Sequence, residues 1–117
     1  MDKHFCPICG NRSLYEFATG DICHCCGNES GFDDDILSEE LVKFSDEDFT
    51  AAKPKKPELE KYPLMPLDIA YHLLRAKWIV QGCKWKYNMR NEKPDSWGIE
   101  EAEKQLKNID VNINNYM

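Results

Sequence analysis

Long apolar runs are missing from this chain, and its first half lacks a basic face. No stretch of the 117 residues approaches the roughly twenty consecutive apolar residues of a membrane span. The start Met1-Asp2-Lys3-His4 has none of the apolar run of an export signal, so the expectation is a cytoplasmic protein with no membrane partner. Catalytic spacing is also missing: no Ser-His-Asp set and no paired carboxylates can be argued from the order of residues, which predicts a protein that is not an enzyme. Positive charge is scarce where it would matter for nucleic acid. Residues 1–61 hold fourteen acids against seven Lys or Arg, and residues 62–117 hold seven against eight. A field of that sign repels phosphates and attracts a basic partner.

What the sequence does have is thiols. Cys6-Pro7-Ile8-Cys9-Gly10 and Cys23-His24-Cys25-Cys26-Gly27 each place two cysteines three positions apart with a glycine behind the second. That spacing lets one tight turn offer two sulfurs to one metal ion, and two such turns complete a tetrahedral zinc shell. Four thiolates leave no open position, which makes the zinc structural. Aligning the second turn on the first by its glycine selects Cys6, Cys9, Cys23 and Cys26 as ligands. Cys25 and His24 are then turn filler, an alternative ligand, or a redox-sensitive thiol beside the metal. The competing reading of the quartet is a disulfide pair in an oxidising compartment. Each glycine is expected to take positive φ and turn its N–H toward a ligating sulfur.

The rest of the chain divides by pattern. Residues 1–36 read as a small zinc-ribbon-like β lobe, with short strands near Ser13–Ala18 and Ile22 joined by a turn at Thr19-Gly20-Asp21. A lobe of that size buries too little apolar surface to fold alone and would lean on roughly 10–16 kcal/mol of apparent zinc binding. Residues 37–65 read as a short helix, capped by Asp35 or Ser38, followed by an extended linker through Lys53-Pro54-Lys55-Lys56-Pro57. Residues 66–112 carry the strongest helical period, from Pro66 to Gln81 with Gly82 as its stop, then a tryptophan-bearing arm and a last helix through Ile99, Ala102, Leu106 and Ile109. His72 falls on the wetter side of the first of these helices, and Cys83 reads as a small buried hydrophobe. Residues 113–117 read as a polar, frayed tail. The fold class expected is therefore α+β, a β lobe with a helical segment packed on it.

Two surfaces can meet a partner. Asp33, Asp34, Asp35, Glu39 and Glu40 form an acidic patch suited to a basic protein. Lys84, Trp85, Lys86, Tyr87 and Arg90 interleave cations with rings, the composition that stacks on single-stranded nucleic acid, although packing of Trp85 against the helix explains the same residues.

The order CPICG, ICHCCG running into GFDDD, LRAKWIVQGCKW and PDSWGIEEAEKQLKNI resembles the small bacterial cysteine-rich proteins called the CPCC family. The likeness covers both ends, about two thirds of the chain. His24 stands where the family has the proline that names it, and residues 45–66 are longer than the usual step. The resemblance implies a zinc-ribbon-like fold with an appended helical segment, with Cys6, Cys9, Cys23 and Cys26 as ligands. About activity it implies little beyond a likeness to small accessory proteins found around bacterial toxin systems; the acidic balance and the absence of a catalytic constellation add the expectation of an immunity or antitoxin-like protein that neutralises a basic toxin, the alternative being a zinc-ribbon accessory protein that binds nucleic acid.

Overall fold

The computed structural model describes residues 4–13, 17–88 and 93–117. The expected strand over Ser13–Ala18 and the expected contact at Arg90 fall partly or wholly outside them. Among the described residues the protein is α+β: a two-stranded antiparallel ladder, β1 (His4–Phe5) and β2 (Arg12–Ser13), and four α-helices. These are α1 (Asp46–Ala52), α2 (Lys56–Leu59), α3 (Leu67–Val80) and α4 (Ile99–Leu106), with 3-10 turns at Ser38–Lys43, Lys107–Ile109 and Ile113–Tyr116. Among the described residues no helix is long and apolar enough to cross a membrane.

Both cysteine turns are built the same way. In the first, Phe5 pairs with Arg12, the Cys6 amide donates to the Asn11 carbonyl, and the Gly10 amide donates to the Cys6 carbonyl, both at 2.9 Å. In the second, Ile22 bridges Glu29, the Cys23 amide donates to the Asn28 carbonyl at 2.9 Å, and the Gly27 amide donates to the Cys23 carbonyl at 2.8 Å. Gly10 and Gly27 have φ of 80° and 81°, a conformation in which a side chain is strained. The glycine N–H groups therefore close the turns on a carbonyl oxygen, where a sulfur contact was expected.

Helix α3 is the axis of the molecule. Pro66 supplies its N-cap, and Ala70, Leu73, Ala76 and Ile79 form a buried face at steps of three residues. It ends as expected at Gly82, which takes φ of 94°; the amides of Gly82 and Cys83 donate to the carbonyls of Ile79 and Trp78, both at 2.9 Å. The small alanines on the buried face admit α1, which packs along α3. Here the structure departs from the extended linker expected beyond the acidic stretch. Ser45 and Asp48 form a reciprocal cap that starts α1: the Ser45 hydroxyl accepts from the Asp48 amide at 3.2 Å, and the Ser45 amide donates to Asp48 at 2.9 Å. Asp35 and Ser38 do not cap the preceding turn; the Leu37 amide is taken by the Glu40 carboxylate at 3.1 Å.

The C-terminus also differs from the frayed tail expected. Ile113 and Tyr116 are buried, and their 3-10 turn packs against both α1 and α3. His72 belongs to this junction, not to the surface: its Nε2–H donates to the Ala52 carbonyl, and its Nδ1 accepts from the Tyr116 hydroxyl at 2.6 Å. The Tyr116 oxygen in turn accepts from Arg75 Nη1 at 2.8 Å.

Candidate metal centre

The two turns bring four sulfurs together. The Sγ atoms of Cys6, Cys9, Cys23 and Cys26 all lie within 4.8 Å of one another. Cys6 and Cys26 are 3.7 Å apart, Cys9 and Cys23 3.6 Å. A tetrahedral ion with bonds to sulfur of about 2.3 Å separates its ligands by about 3.8 Å, so these spacings match the edges of such a shell. A disulfide needs sulfurs about 2.0 Å apart, and all six cysteines are free. The donor set and its spacing therefore fit a metal ion held by these four residues.

Charge in the cluster is shared. The neighbouring thiols of Cys26, Cys6 and Cys9 hold the Cys23 thiol far below the usual range. Burial, followed by the bond to Cys23, pushes Cys9 up, and Cys26 is raised chiefly by its bond to Cys23. Negative charge is thus favoured at Cys23 and disfavoured at Cys9 and Cys26. A cation bound among the sulfurs supplies the same stabilisation to all four, which is why affinity for metal at such sites falls on acidification.

Contacts from distant parts of the chain fix the first turn. Arg75 on α3 donates through Nε to the Ile8 carbonyl at 2.7 Å and through Nη2 to the Pro7 carbonyl. From α4, Gln105 donates to the Cys9 carbonyl at 3.0 Å, and just beyond it Asn108 donates to the Gly10 carbonyl at 3.2 Å. Asn11 reaches across with its amide to the Cys23 sulfur at 3.8 Å. The second turn is covered by the arm after α3, where the amides of Lys86 and Tyr87 donate to the carbonyls of Cys25 and His24 at 2.9 and 2.8 Å. Sequence reasoning missed Arg75, Gln105 and Asn108. Each is an ordinary polar residue on a helix or turn, and only the fold shows which carbonyl it meets.

Cys25 is fully buried outside the quartet, where Gln105 donates to its sulfur at 3.3 Å. Cys83 is buried as expected, and its thiol is pushed up to about 11 by burial and by the nearby Cys25. The acidic patch is less uniform than expected. Asp33, Asp35 and Glu39 are exposed, and Glu40 is bonded to Lys43 at 2.8 Å. Asp34 is only 4% exposed and accepts from the Gly31 amide at 2.9 Å, so it holds a turn and leaves the surface to its neighbours. On the arm, Trp85 meets the edge of Trp97 with ring centroids 5.1 Å apart, and Trp97 also neighbours Trp78 at 6.4 Å. That packing leaves Trp85 half-buried, and Tyr87 exposed beside Lys84 and Lys86.

Compared with family models, curated proteins and solved structures, the chain matches none.

Proposed function

We propose that the chain is a zinc-held protein-interaction module, an immunity or antitoxin-like protein that binds and neutralises a basic toxin. The observation that carries the reading is the exposed run of Asp33, Asp35 and Glu39 beside the second cysteine turn. An acidic surface mounted on a metal-fastened turn attracts a basic partner and needs little ordering on binding. Zinc is the ion proposed because four thiolates in tetrahedral spacing favour it and give it no open position for substrate or water. In this reading the zinc is structural, the turns form a zinc-ribbon-like lobe, and the protein is not an enzyme. A reducing cytoplasm keeps the thiols available to the metal.

Nucleic-acid binding through the lysine-bearing arm is the weaker reading, since Trp85 is half-buried against Trp97 and Tyr87 alone is a small stacking platform. The test is a pull-down from bacterial lysate with the zinc-loaded protein, with and without nuclease, over a range of salt. The reading predicts a basic protein whose capture survives nuclease, whose toxicity the module relieves, and which is lost when Asp33, Asp35 and Glu39 are changed together to Lys. Recovery of nuclease-sensitive RNA or DNA that washes off with salt would overturn it.

A further inference from the structure

The end of the chain reaches the first cysteine turn through one hydroxyl. Tyr116 is 8% exposed and Ile113 1%, so the Ile113–Tyr116 turn is seated in the core. Because His72 gives its Nε2–H to the Ala52 carbonyl, its Nδ1 carries the lone pair and takes the hydrogen of the Tyr116 hydroxyl at 2.6 Å. The hydroxyl oxygen is thereby turned toward Arg75, whose Nη1 donates to it at 2.8 Å.

Arg75 directs its other donors to the metal side. Nε meets the Ile8 carbonyl at 2.7 Å and Nη2 the Pro7 carbonyl, on the two residues between Cys6 and Cys9. A guanidinium is planar and rigid, so a partner fixed at one edge fixes the direction of the donors at the other. Among the described residues no carboxylate pairs with Arg75, and the Tyr116 oxygen is its partner away from the turn. The stretch leading to the C-terminal turn grips the same loop, where Gln105 and Asn108 hold the Cys9 and Gly10 carbonyls at 3.0 and 3.2 Å. Residues 105–116 therefore hold the first cysteine turn directly at one end and through Arg75 at the other.

We infer that the C-terminal turn is a strap that locks the metal centre, with Tyr116 as its positioning residue. The inference rests on a metal being held by Cys6, Cys9, Cys23 and Cys26. With Tyr116 docked, Arg75 keeps the Pro7-Ile8 peptide in the shape that brings Cys6 and Cys9 to the other two sulfurs. With Tyr116 undocked, Arg75 loses its outer hold, the first turn loosens and the ion leaves faster. The coupling is reciprocal, so an ion in the quartet also holds the strap down.

The experiment is release of zinc from the loaded full chain into a chelating dye, followed by absorbance. Tyr116→Phe keeps the ring in the core and removes the hydroxyl. It should release zinc about tenfold faster than wild type, the size expected for one hydrogen bond to a charged group. Ile113→Val trims the same turn without touching the Arg75 bond; it lowers overall stability but should stay within about twofold of the wild-type rate. In an Arg75→Met background the effect of Tyr116→Phe should vanish, because the link is already cut. The comparison of the two single variants stands without the double variant. Equal acceleration in Tyr116→Phe and Ile113→Val, or a Tyr116→Phe effect that persists without Arg75, would overturn the strap. A wild-type chain that takes up zinc, with Tyr116→Phe releasing it at the same rate, removes the strap and keeps the metal centre. A wild-type chain that takes up no zinc removes both.

Discussion

The two cysteine turns share one backbone design, and they differ in what surrounds them. The first is held from outside by side chains: Arg75, Gln105 and Asn108 between them take the carbonyls of Pro7, Ile8, Cys9 and Gly10. The second is held by the backbone of the arm, and it borders an open cleft with an unpaired Asn28 oxygen and a half-buried Cys26. One turn is bolted into the helices, and the other faces outward. A metal held between them would join the braced half to the outward-facing half, and would so support the whole fold and not only the first thirty residues.

The largest effect should come from breaking the join. Cys9→Ser and Cys26→Ser should each lose the metal and unfold the protein, or lower its stability by several kcal/mol, as should chelation. Cys25→Ser should keep the metal, with full metal binding and a modest loss of stability in thermal unfolding. Because α3 and α4 contact the first turn, loss of metal should be visible in the tryptophan fluorescence of Trp78 and Trp97 as well as in the turns. A change confined to the turns would separate the halves.

Next in size is the outer bracing. Arg75→Met removes the donors to two turn carbonyls and to Tyr116, and should cost about 3 kcal/mol in chemical unfolding, given 1–3 kcal/mol for each buried acceptor left unpaired. On the second turn, the Asn11 and Gln105 side chains reach sulfurs, those of Cys23 and Cys25, at 3.8 and 3.3 Å.

The glycines sharpen the comparison further. A Cβ on Gly10 would lie 2.3 Å from the Gln105 carbonyl oxygen, a backbone atom in α4, whereas a Cβ on Gly27 would meet the flexible Lys86 stem at 2.3 Å. Both substitutions carry the strain of positive φ, about 1–2 kcal/mol. Gly10→Ala should therefore be the more destabilising by about 1–3 kcal/mol, because a backbone clash demands movement of a helix. Equal losses would show that the first turn is no more tightly seated than the second.

The smallest effect concerns pH. The Cys83 thiol is raised to about 11 in the folded protein, against an ordinary thiol value of about 8.5–9. The folded state therefore favours the neutral thiol. That contribution is complete below the unfolded value and is lost as pH rises through the window from about 9 to 11. Cys83→Ala should flatten the alkaline limb of the stability curve without changing stability at pH 7 by the same amount.

Much of this could be read from residues alone where the signal is local. The doubled cysteine spacing with its glycines identified the four sulfurs that converge, and the period from Pro66 to Gly82 gave α3 to within a residue at each end. Helix α1 was hidden behind a lysine- and proline-bearing stretch that suggested a linker, although Ser45 and Asp48 carried the capping signature three residues apart. The C-terminal turn was missed because two apolar residues, Ile113 and Tyr116, make no period; their burial depends on α1 and α3 being in place. His72 was placed on the wet side for the same reason, since its partners Ala52 and Tyr116 arrive from both directions along the chain. Asp34 shows the opposite limit. Three adjacent aspartates look alike in sequence, and only the turn geometry separates the buried one from the two exposed ones.

The contrast between the two turns depends on a single metal shared by both. The most direct test is X-ray absorption at the zinc edge of the purified, zinc-loaded protein together with its metal content. One zinc per chain in a shell of four sulfurs at about 2.3 Å is expected. A shell containing nitrogen would bring His24 into the site in place of a cysteine, and a stoichiometry well below one, or iron as the resident ion, would contradict the claim of a closed zinc centre.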